Sequence, residues 1–237
     1  MPVDPQTEKL LAAPDRPKVT IRTLHKLGRA YFRRRYTILF YSLLVTMVAS
    51  PILSAMGRRA TLIEALLAAN LLVAIMPFTS GISRRCLLAV MVLASVARPL
   101  SAWLGYTTLS DLTLAAWTLI GLLAAAGALH FAMHSSRVEA EHIFAALSAY
   151  LLAGIYFGLL YWVLEQLQPG TFGGADFSRS GATYFSFVTL ATLGYGDIVP
   201  RSDLGRSLAV LEAIGGQLFL AVLVARLLSL YSLAPKD

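Results

Sequence analysis

The most informative short segment of the chain is Thr-Leu-Gly-Tyr-Gly-Asp at residues 192–197. Gly194 and Gly196 flank Tyr195, and glycine reaches positive φ without the steric cost that a Cβ imposes. The chemistry open to such a segment is cation binding by main-chain carbonyl oxygens. A lone Gly-Tyr-Gly tripeptide also fits a surface turn, so the surrounding sequence must decide between the two.

The segment follows a short apolar run, residues 181–191, in a loop of about 42 residues between two long apolar stretches. This run is too short to cross a bilayer, because the ~30 Å hydrocarbon core takes roughly 20 residues as a helix. Glycine-rich backbone at membrane depth is tolerated only where it lines a water-filled path or is buried in protein. The sequence therefore predicts a re-entrant loop, with a short helix followed by residues 192–197.

In this setting, residues 192–197 resemble the selectivity filter of potassium channels almost residue for residue, with leucine where valine or isoleucine is common. The residues that the resemblance assigns to ion binding are Thr192, Leu193, Gly194, Tyr195 and Gly196. The first four would donate main-chain carbonyl oxygens to K⁺, and the Thr192 hydroxyl would close the innermost site. Stacked rings of carbonyls that point at one axis require backbone dihedrals of alternating hand.

The resemblance also assigns roles outside the ion path. Tyr195 would point away from the ions and brace the filter against aromatic residues of the pore helix such as Tyr184 and Phe185. Asp197 would stand at the outer mouth, where its charge concentrates cations.

The last apolar stretch resembles the family's inner helix at Gly205-Arg206 and at Gly215-Gly216. Gly216 follows Asp197 by 19 residues, where that family commonly has its hinge glycine. Each glycine weakens a helix by roughly 1 kcal/mol relative to alanine, so the pair predicts either a bend or a close helix contact. The residues expected to line the cavity below the filter are Gln217, Leu220 and Val224.

Three charged residues lie in or beside the last two apolar stretches. Glu212 lies in the last stretch and is expected to hydrogen-bond behind the filter rather than face the pore. Glu165 is expected to be interfacial. Arg226 would meet lipid head groups or a neighbouring subunit.

The composition indicates a membrane protein, since 57% of the residues are hydrophobic and only 14% are charged, against about 25% charged in soluble domains. The predicted fold is an all-α membrane protein with six transmembrane helices and the pore loop between helices 5 and 6. The six apolar stretches are 36–56, 60–79, 86–104, 109–131, 143–164 and 207–231.

Eight basic residues between positions 16 and 35 precede the first stretch and predict a cytoplasmic N-terminus. Six crossings then return the C-terminus to the cytoplasm, and the plasma (inner) membrane is the expected location. Residues 18–31 fit either an amphipathic helix on an anionic leaflet or a solvated basic segment.

Three parts are predicted: a basic cytoplasmic segment at 1–35, a four-helix bundle at 36–133 and a pore domain at 143–231. A polar linker at 134–142 joins the last two. Within the bundle, Glu64 and Arg98 could form an ion pair that orients two helices, or an ion or proton site. The fourth stretch contains neither Lys nor Arg, whereas a voltage sensor is an Arg-rich helix. Voltage sensing is therefore not expected.

One filter segment per chain implies a homotetramer, because a closed ring around one axis needs four. The expected partners are K⁺ ions, the lipid bilayer and three further copies of the chain, with no nucleic acid. No cofactor besides permeant K⁺ is expected, and no enzyme activity, since no nucleophile, base and orienting group fall together. The expected function is passive K⁺ conduction; the alternative is a non-conducting membrane scaffold or regulatory partner subunit.

Overall fold

The structure, a computed structural model, describes residues 34–55, 60–75, 89, 92–93, 107–134, 140–174 and 177–232. Three predictions fall outside this part of the chain. They are the segment at 18–31, nearly all of the third apolar stretch, and the contact between the Glu64 and Arg98 side chains.

The described chain is mostly helical, as predicted. Its helices are α1 Arg35–Ala55, α2 Ala60–Ile75, α3 Thr107–Met133, α4 Ala140–Leu167, α5 Arg179–Leu190 and α6 Asp203–Ser232. Three stretches are long and apolar enough to cross a membrane: Leu112–Met133, Ala140–Leu167 and Asp203–Leu228. The helices α1 and α2 contain shorter apolar stretches, Arg35–Ser50 and Ala65–Ala74.

The core lies where α3 packs along α4 and α1 packs against both α2 and α4. Leu39 of α1, Leu71 of α2 and Leu152 of α4 are almost completely buried there. A Cβ at Gly121 of α3 would lie 2.2 Å from the ring of Tyr156 in α4. The two helices can approach this closely because Gly121 has no side chain.

Asn70, a polar residue inside the second apolar stretch, is buried against α1. Its Nδ2 donates to the hydroxyl oxygen of Thr46 at 2.8 Å, and the Thr46 hydroxyl donates to the carbonyl of Ser42 at 2.8 Å. These bonds join α1 to α2 and offset part of the cost of burying the polar groups, since Oδ1 of Asn70 has no hydrogen-bond partner among the described residues.

The prediction of a linker at 134–142 is wrong at its end, because α4 begins at Ala140 and includes Glu141 and His142. The Glu141 carboxylate accepts a hydrogen bond from the backbone N–H of Tyr36 at 3.0 Å and another from the Thr37 hydroxyl. These groups lie at the N-terminus of α1, where backbone N–H groups have no partner within the helix. Glu141 therefore caps α1 from the first turn of α4, a contact that local sequence does not reveal.

The loop between α4 and α6 contains two short strands that the sequence did not predict. Strands β1 (Phe172–Gly174) and β2 (Ile198–Pro200) pair in antiparallel register, with Phe172 opposite Pro200 and Gly174 opposite Ile198. Three residues are too few to show the alternation by which strands are recognised. The ribbon ties the chain before α5 to the chain after residues 192–197, so both ends of the loop are held together.

Candidate functional site

The helix α5 leads directly into the predicted filter segment, residues 192–197. Ser178 precedes it as an N-cap, and its Oγ accepts a hydrogen bond from the N–H of Gly181 at 3.1 Å. The helix has 12 residues, about 18 Å at 1.5 Å per residue, which is well short of a bilayer crossing. It corresponds to the short helix predicted at 181–191.

The backbone of the filter segment alternates between negative and positive φ. Thr192, Gly194 and Gly196 have φ of 54°, 61° and 79°, whereas Leu193 and Tyr195 are not in the positive-φ region. Such alternation turns successive peptide carbonyls toward the same side of the chain. The sequence predicted this conformation for the two glycines. It gave no sign of it at Thr192, which among the described residues is alone in being a non-glycine with positive φ.

The Asp197 end of the segment is fastened to α5. The Tyr184 hydroxyl donates to Oδ2 of Asp197 at 2.8 Å, and the rings of Tyr184 and Tyr195 stack in parallel with centroids 6.4 Å apart. Phe185, the other residue predicted to brace Tyr195, instead packs edge-on against Tyr161 and is buried. Neighbouring residues on a helix point about 100° apart, so Tyr184 and Phe185 cannot both face the same ring.

The Thr192 end contacts α6. Nε2 of Gln217 lies 3.3 Å from the hydroxyl oxygen of Thr192, to which it donates. Leu220 and Val224 follow at spacings of three and four residues, so they share a helix face with Gln217. Both side chains are exposed in the single chain.

The two glycines of α6 have different surroundings. A Cβ at Gly216 would lie 2.5 Å from the carbonyl oxygen of Leu190, the last residue of α5, whereas a Cβ at Gly215 would have nothing within 4 Å. Of the two predicted alternatives, a bend or a close helix contact, Gly216 therefore makes the close helix contact. Gly215 faces open space beside a cavity of about 350 Å³ between α3, α4 and α6.

Two glycines of α4 allow α5 to pack closely against that helix. A Cβ at Gly158 would lie 2.6 Å from the Cα of Thr183, and one at Gly154 would lie 2.5 Å from the ring of Phe187. The sequence analysis missed this pair, although Gly-x-x-x-Gly in an apolar helix is a known signal of close helix packing.

Glu212 is 1% exposed and contacts α5, the helix that precedes the filter segment. Its Oε2 accepts a hydrogen bond from the Tyr161 hydroxyl at 2.6 Å, and its Oε1 lies 2.5 Å from Oγ of Ser186 on α5. Oγ of Ser186 also lies 2.7 Å from the carbonyl oxygen of Gly154. This buried polar network joins α4, α5 and α6.

Sequence comparison relates part of the chain to ion channels. Residues 145–232 match the model of a family described as "Ion channel". The matched residues make up less than half of the chain, and two relatives that are similar to part of it are potassium channels. The inward rectifier potassium channel Kirbac3.1 of Paramagnetospirillum magnetotacticum is 39% identical over 77 residues, which make up 31% of this chain and 24% of that protein. The two-pore potassium channel 3 of Arabidopsis thaliana is 31% identical over 101 residues, 40% of this chain and 20% of that protein.

The chain thus spans about a quarter or less of the length of these relatives. No solved structure is significantly similar to it. Within the described residues, no group of three or more His, Cys, Asp or Glu side chains is placed to hold a metal ion.

The turn after α4 is built around Glu165, which the sequence analysis took for an interfacial residue. Its two carboxylate oxygens accept hydrogen bonds from the backbone N–H groups of Gly170 at 2.8 Å and Phe172 at 2.9 Å. The Phe172 ring stacks on Phe177, with centroids 4.5 Å apart, and meets Tyr161 edge-on. Glu165 therefore fixes the start of the pore-domain loop.

Arg226 near the far end of α6 contacts the predicted bundle. Its guanidinium donates to the carbonyl oxygen of Ala132, in the last turn of α3. Carbonyls at a helix C-terminus lack partners within the helix and carry a partial negative charge. The contact joins α6 to α3, whereas the sequence analysis expected Arg226 to meet lipid or a neighbouring subunit.

Proposed function

We propose that the chain is one subunit of a potassium-selective channel that conducts K⁺ passively across a membrane as a homotetramer. The observation that carries this proposal is the alternation of φ sign along residues 192–197. A K⁺ ion loses its water shell in a narrow filter, and the lost water oxygens must be replaced by others at similar distances. A backbone that turns its carbonyls to one side offers those oxygens.

In this proposal, the main-chain carbonyls of residues 192–195 form the K⁺ sites, and the Thr192 hydroxyl forms the innermost one. Gly196 supplies the last positive φ, and Asp197 concentrates cations at the outer mouth. Gln217, Leu220 and Val224 line the cavity below the filter. Their shared helix face and their exposure in the single chain support this placement.

A tetramer with cyclic symmetry would complete the site, because one chain contributes one quarter of each carbonyl ring. Exposed apolar side chains of α6 support assembly within a membrane: Leu211, Ile214 and Leu218 are 60%, 54% and 60% exposed. A membrane helix with such a surface faces lipid or another subunit.

We further propose six membrane crossings, with both termini in the cytoplasm and the Asp197 end of the filter facing outward. The basic residues before α1 support this orientation. The plasma (inner) membrane is the proposed location.

The test is a bilayer recording of the purified protein with KCl on one side and NaCl on the other. A potassium-selective channel gives a reversal potential close to that of K⁺. A protein that assembles in the bilayer but passes no current would instead be a scaffold or a regulatory subunit. A current with a reversal potential near zero would exclude potassium selectivity.

A further inference from the structure

We propose that Glu212 is a positioning residue, held as a neutral carboxylic acid, that couples the inner helix α6 to the pore helix α5 and through it to the filter. The coupling part of this inference rests on the proposed channel function. The protonation part rests only on the arrangement of donors and acceptors around the carboxyl group.

A count of hydrogens gives the protonation state. The Ser186 hydroxyl lies within hydrogen-bond distance of two acceptors, Oε1 of Glu212 and the carbonyl oxygen of Gly154, yet it has a single proton to donate. An ionised Glu212 is acceptor-only, so one of these two close oxygen pairs would lack a proton. A protonated Glu212 donates from Oε1 to Oγ of Ser186, which donates in turn to Gly154.

The surroundings of the carboxyl group fit the neutral form. Among the described residues, the titratable side chains near the carboxyl group are Tyr161, which hydrogen-bonds to it, and Tyr150, both from α4. The α3 residues that line the adjoining cavity, such as Leu122 and Ala125, are apolar. Burial of an ionised carboxylate at membrane depth is strongly disfavoured, whereas a neutral acid with hydrogen bonds at both oxygens is not.

The position of Glu212 explains how it would act on the filter. Glu212 and Gly216 are one helical turn apart on α6, and their contacts Ser186 and Leu190 are one turn apart on α5. The two helices therefore touch at two successive turns. Thr192 follows Leu190 by two residues, so a displacement of α6 at this level would be passed to the first residue of the filter.

The test compares Glu212→Gln with Glu212→Leu in the full-length protein reconstituted in lipid. Glutamine reproduces the neutral acid, because its amide N–H₂ can donate to Ser186 and its carbonyl can accept from Tyr161. Leucine has similar bulk and no hydrogen bonds. We expect Glu212→Gln to keep wild-type open probability and K⁺/Na⁺ permeability ratio, and Glu212→Leu to lower one of them about tenfold. Ser186→Ala should reproduce the effect of Glu212→Leu.

Measurement of the oligomer in detergent first establishes that each variant assembles. An assembled Glu212→Gln variant with lost function would overturn the proposal, because a charge would then be required. A Glu212→Leu variant that assembles and behaves like wild type would overturn it as well, by removing the coupling role. If Glu212→Leu does not assemble, Ser186→Ala takes its place. An assembled Ser186→Ala variant that behaves like wild type would then overturn the coupling role.

Infrared spectroscopy tests the protonation state without any ion flux. The wild-type protein at neutral pH should show the C=O stretch of a protonated carboxylic acid, and Glu212→Gln should lack that band. Identical spectra in this region would contradict a neutral Glu212. A wild-type protein that shows the band but passes no current would leave the protonation state supported and would reject the channel proposal.

Discussion

The hydroxyl of Tyr184 donates a hydrogen bond to Oδ2 of Asp197 across 2.8 Å, while Oδ1 of the same carboxylate accepts from the backbone N–H of Ile198 at 3.0 Å. The first bond joins α5 to Asp197, the last residue of the filter segment. At the other end, Gln217 donates to the Thr192 hydroxyl. The filter backbone is thus fastened at both ends by side chains from two helices.

Replacement of Tyr184 with phenylalanine should shorten the time for which the filter stays in its conducting conformation. The variant loses the hydrogen bond from the Tyr184 hydroxyl to the Asp197 carboxylate, so the ratio of conducting to non-conducting channels should fall severalfold. The measurement is the decay of K⁺ current during sustained opening. Tyr41→Phe, at an exposed tyrosine of α1, is the matched control and should decay as wild type does. Equal decay in both variants would show that the Asp197 contact has no role in conduction.

Replacement of Gly194 with alanine should abolish potassium flux or its selectivity. The φ of Gly194 is 61° and a Cβ there would meet nothing within 4 Å, so the cost is conformational, about 1–2 kcal/mol per subunit. Gly170→Ala is a close control, because Gly170 also has positive φ, 86°, and open space around it. It lies in the turn after α4, so that variant should lose a little stability and keep its selectivity. Normal selective current through Gly194→Ala would refute the filter assignment.

The mass of the assembled protein should correspond to four chains. Four times 25.6 kDa gives about 102 kDa, which native mass spectrometry in detergent or nanodiscs can resolve. A conducting monomer or dimer would be incompatible with one filter segment per chain.

Replacement of Gly158 with alanine should destabilise the docking of the pore helix on α4. The new Cβ would lie 2.6 Å from the Cα of Thr183, and backbone cannot move aside as a side-chain tip can. Overpacking of this kind costs about 1–3 kcal/mol, seen as a lower temperature for loss of the oligomer. Gly215→Ala, which meets nothing within 4 Å, should be at least as stable as wild type. Equal stability of the two variants would show that α5 does not pack as closely as described.

Opening should depend only weakly on membrane potential. Arg98 is the sole Lys or Arg within the four apolar stretches of the predicted bundle, so each subunit could move about one charge through the field. Steep gating takes ~3–4 charges per subunit at ~2.3 kcal/mol per charge per 100 mV. The limiting slope of open probability against voltage, in symmetrical K⁺, measures this charge. A slope equivalent to about twelve charges per tetramer would mean that the bundle carries gating charge that its sequence does not reveal.

The sequence was sufficient for features that depend on local composition. Helices α3, α4 and α6 begin and end close to the predicted apolar stretches, because length and hydropathy determine a membrane span. The positive φ of Gly194 and Gly196 followed from residue type. The functional assignments of these residues remain predictions.

Features that depend on contacts between distant residues could not be read from the sequence. Tyr161 and Glu212 are 51 residues apart, and nothing in either local pattern indicates that they meet. Glu165 lies at the end of an apolar stretch. A carboxylate there can be solvated or can accept hydrogen bonds from the backbone of a turn, and the sequence does not distinguish the two. Thr192 adopts positive φ although threonine, a β-branched residue, disfavours that conformation.

The described contacts that position the filter segment begin at Gly154 on α4 and end at Gln217 on α6. The bond between Ser186 and Glu212 and the pairing of β1 with β2 also lie between these two positions. The residues that position the filter segment within one chain are therefore contiguous in the sequence. A recombination event, or a deliberately built chimera, could move this stretch as a single cassette behind a different set of preceding helices and carry the filter's scaffold with it unchanged.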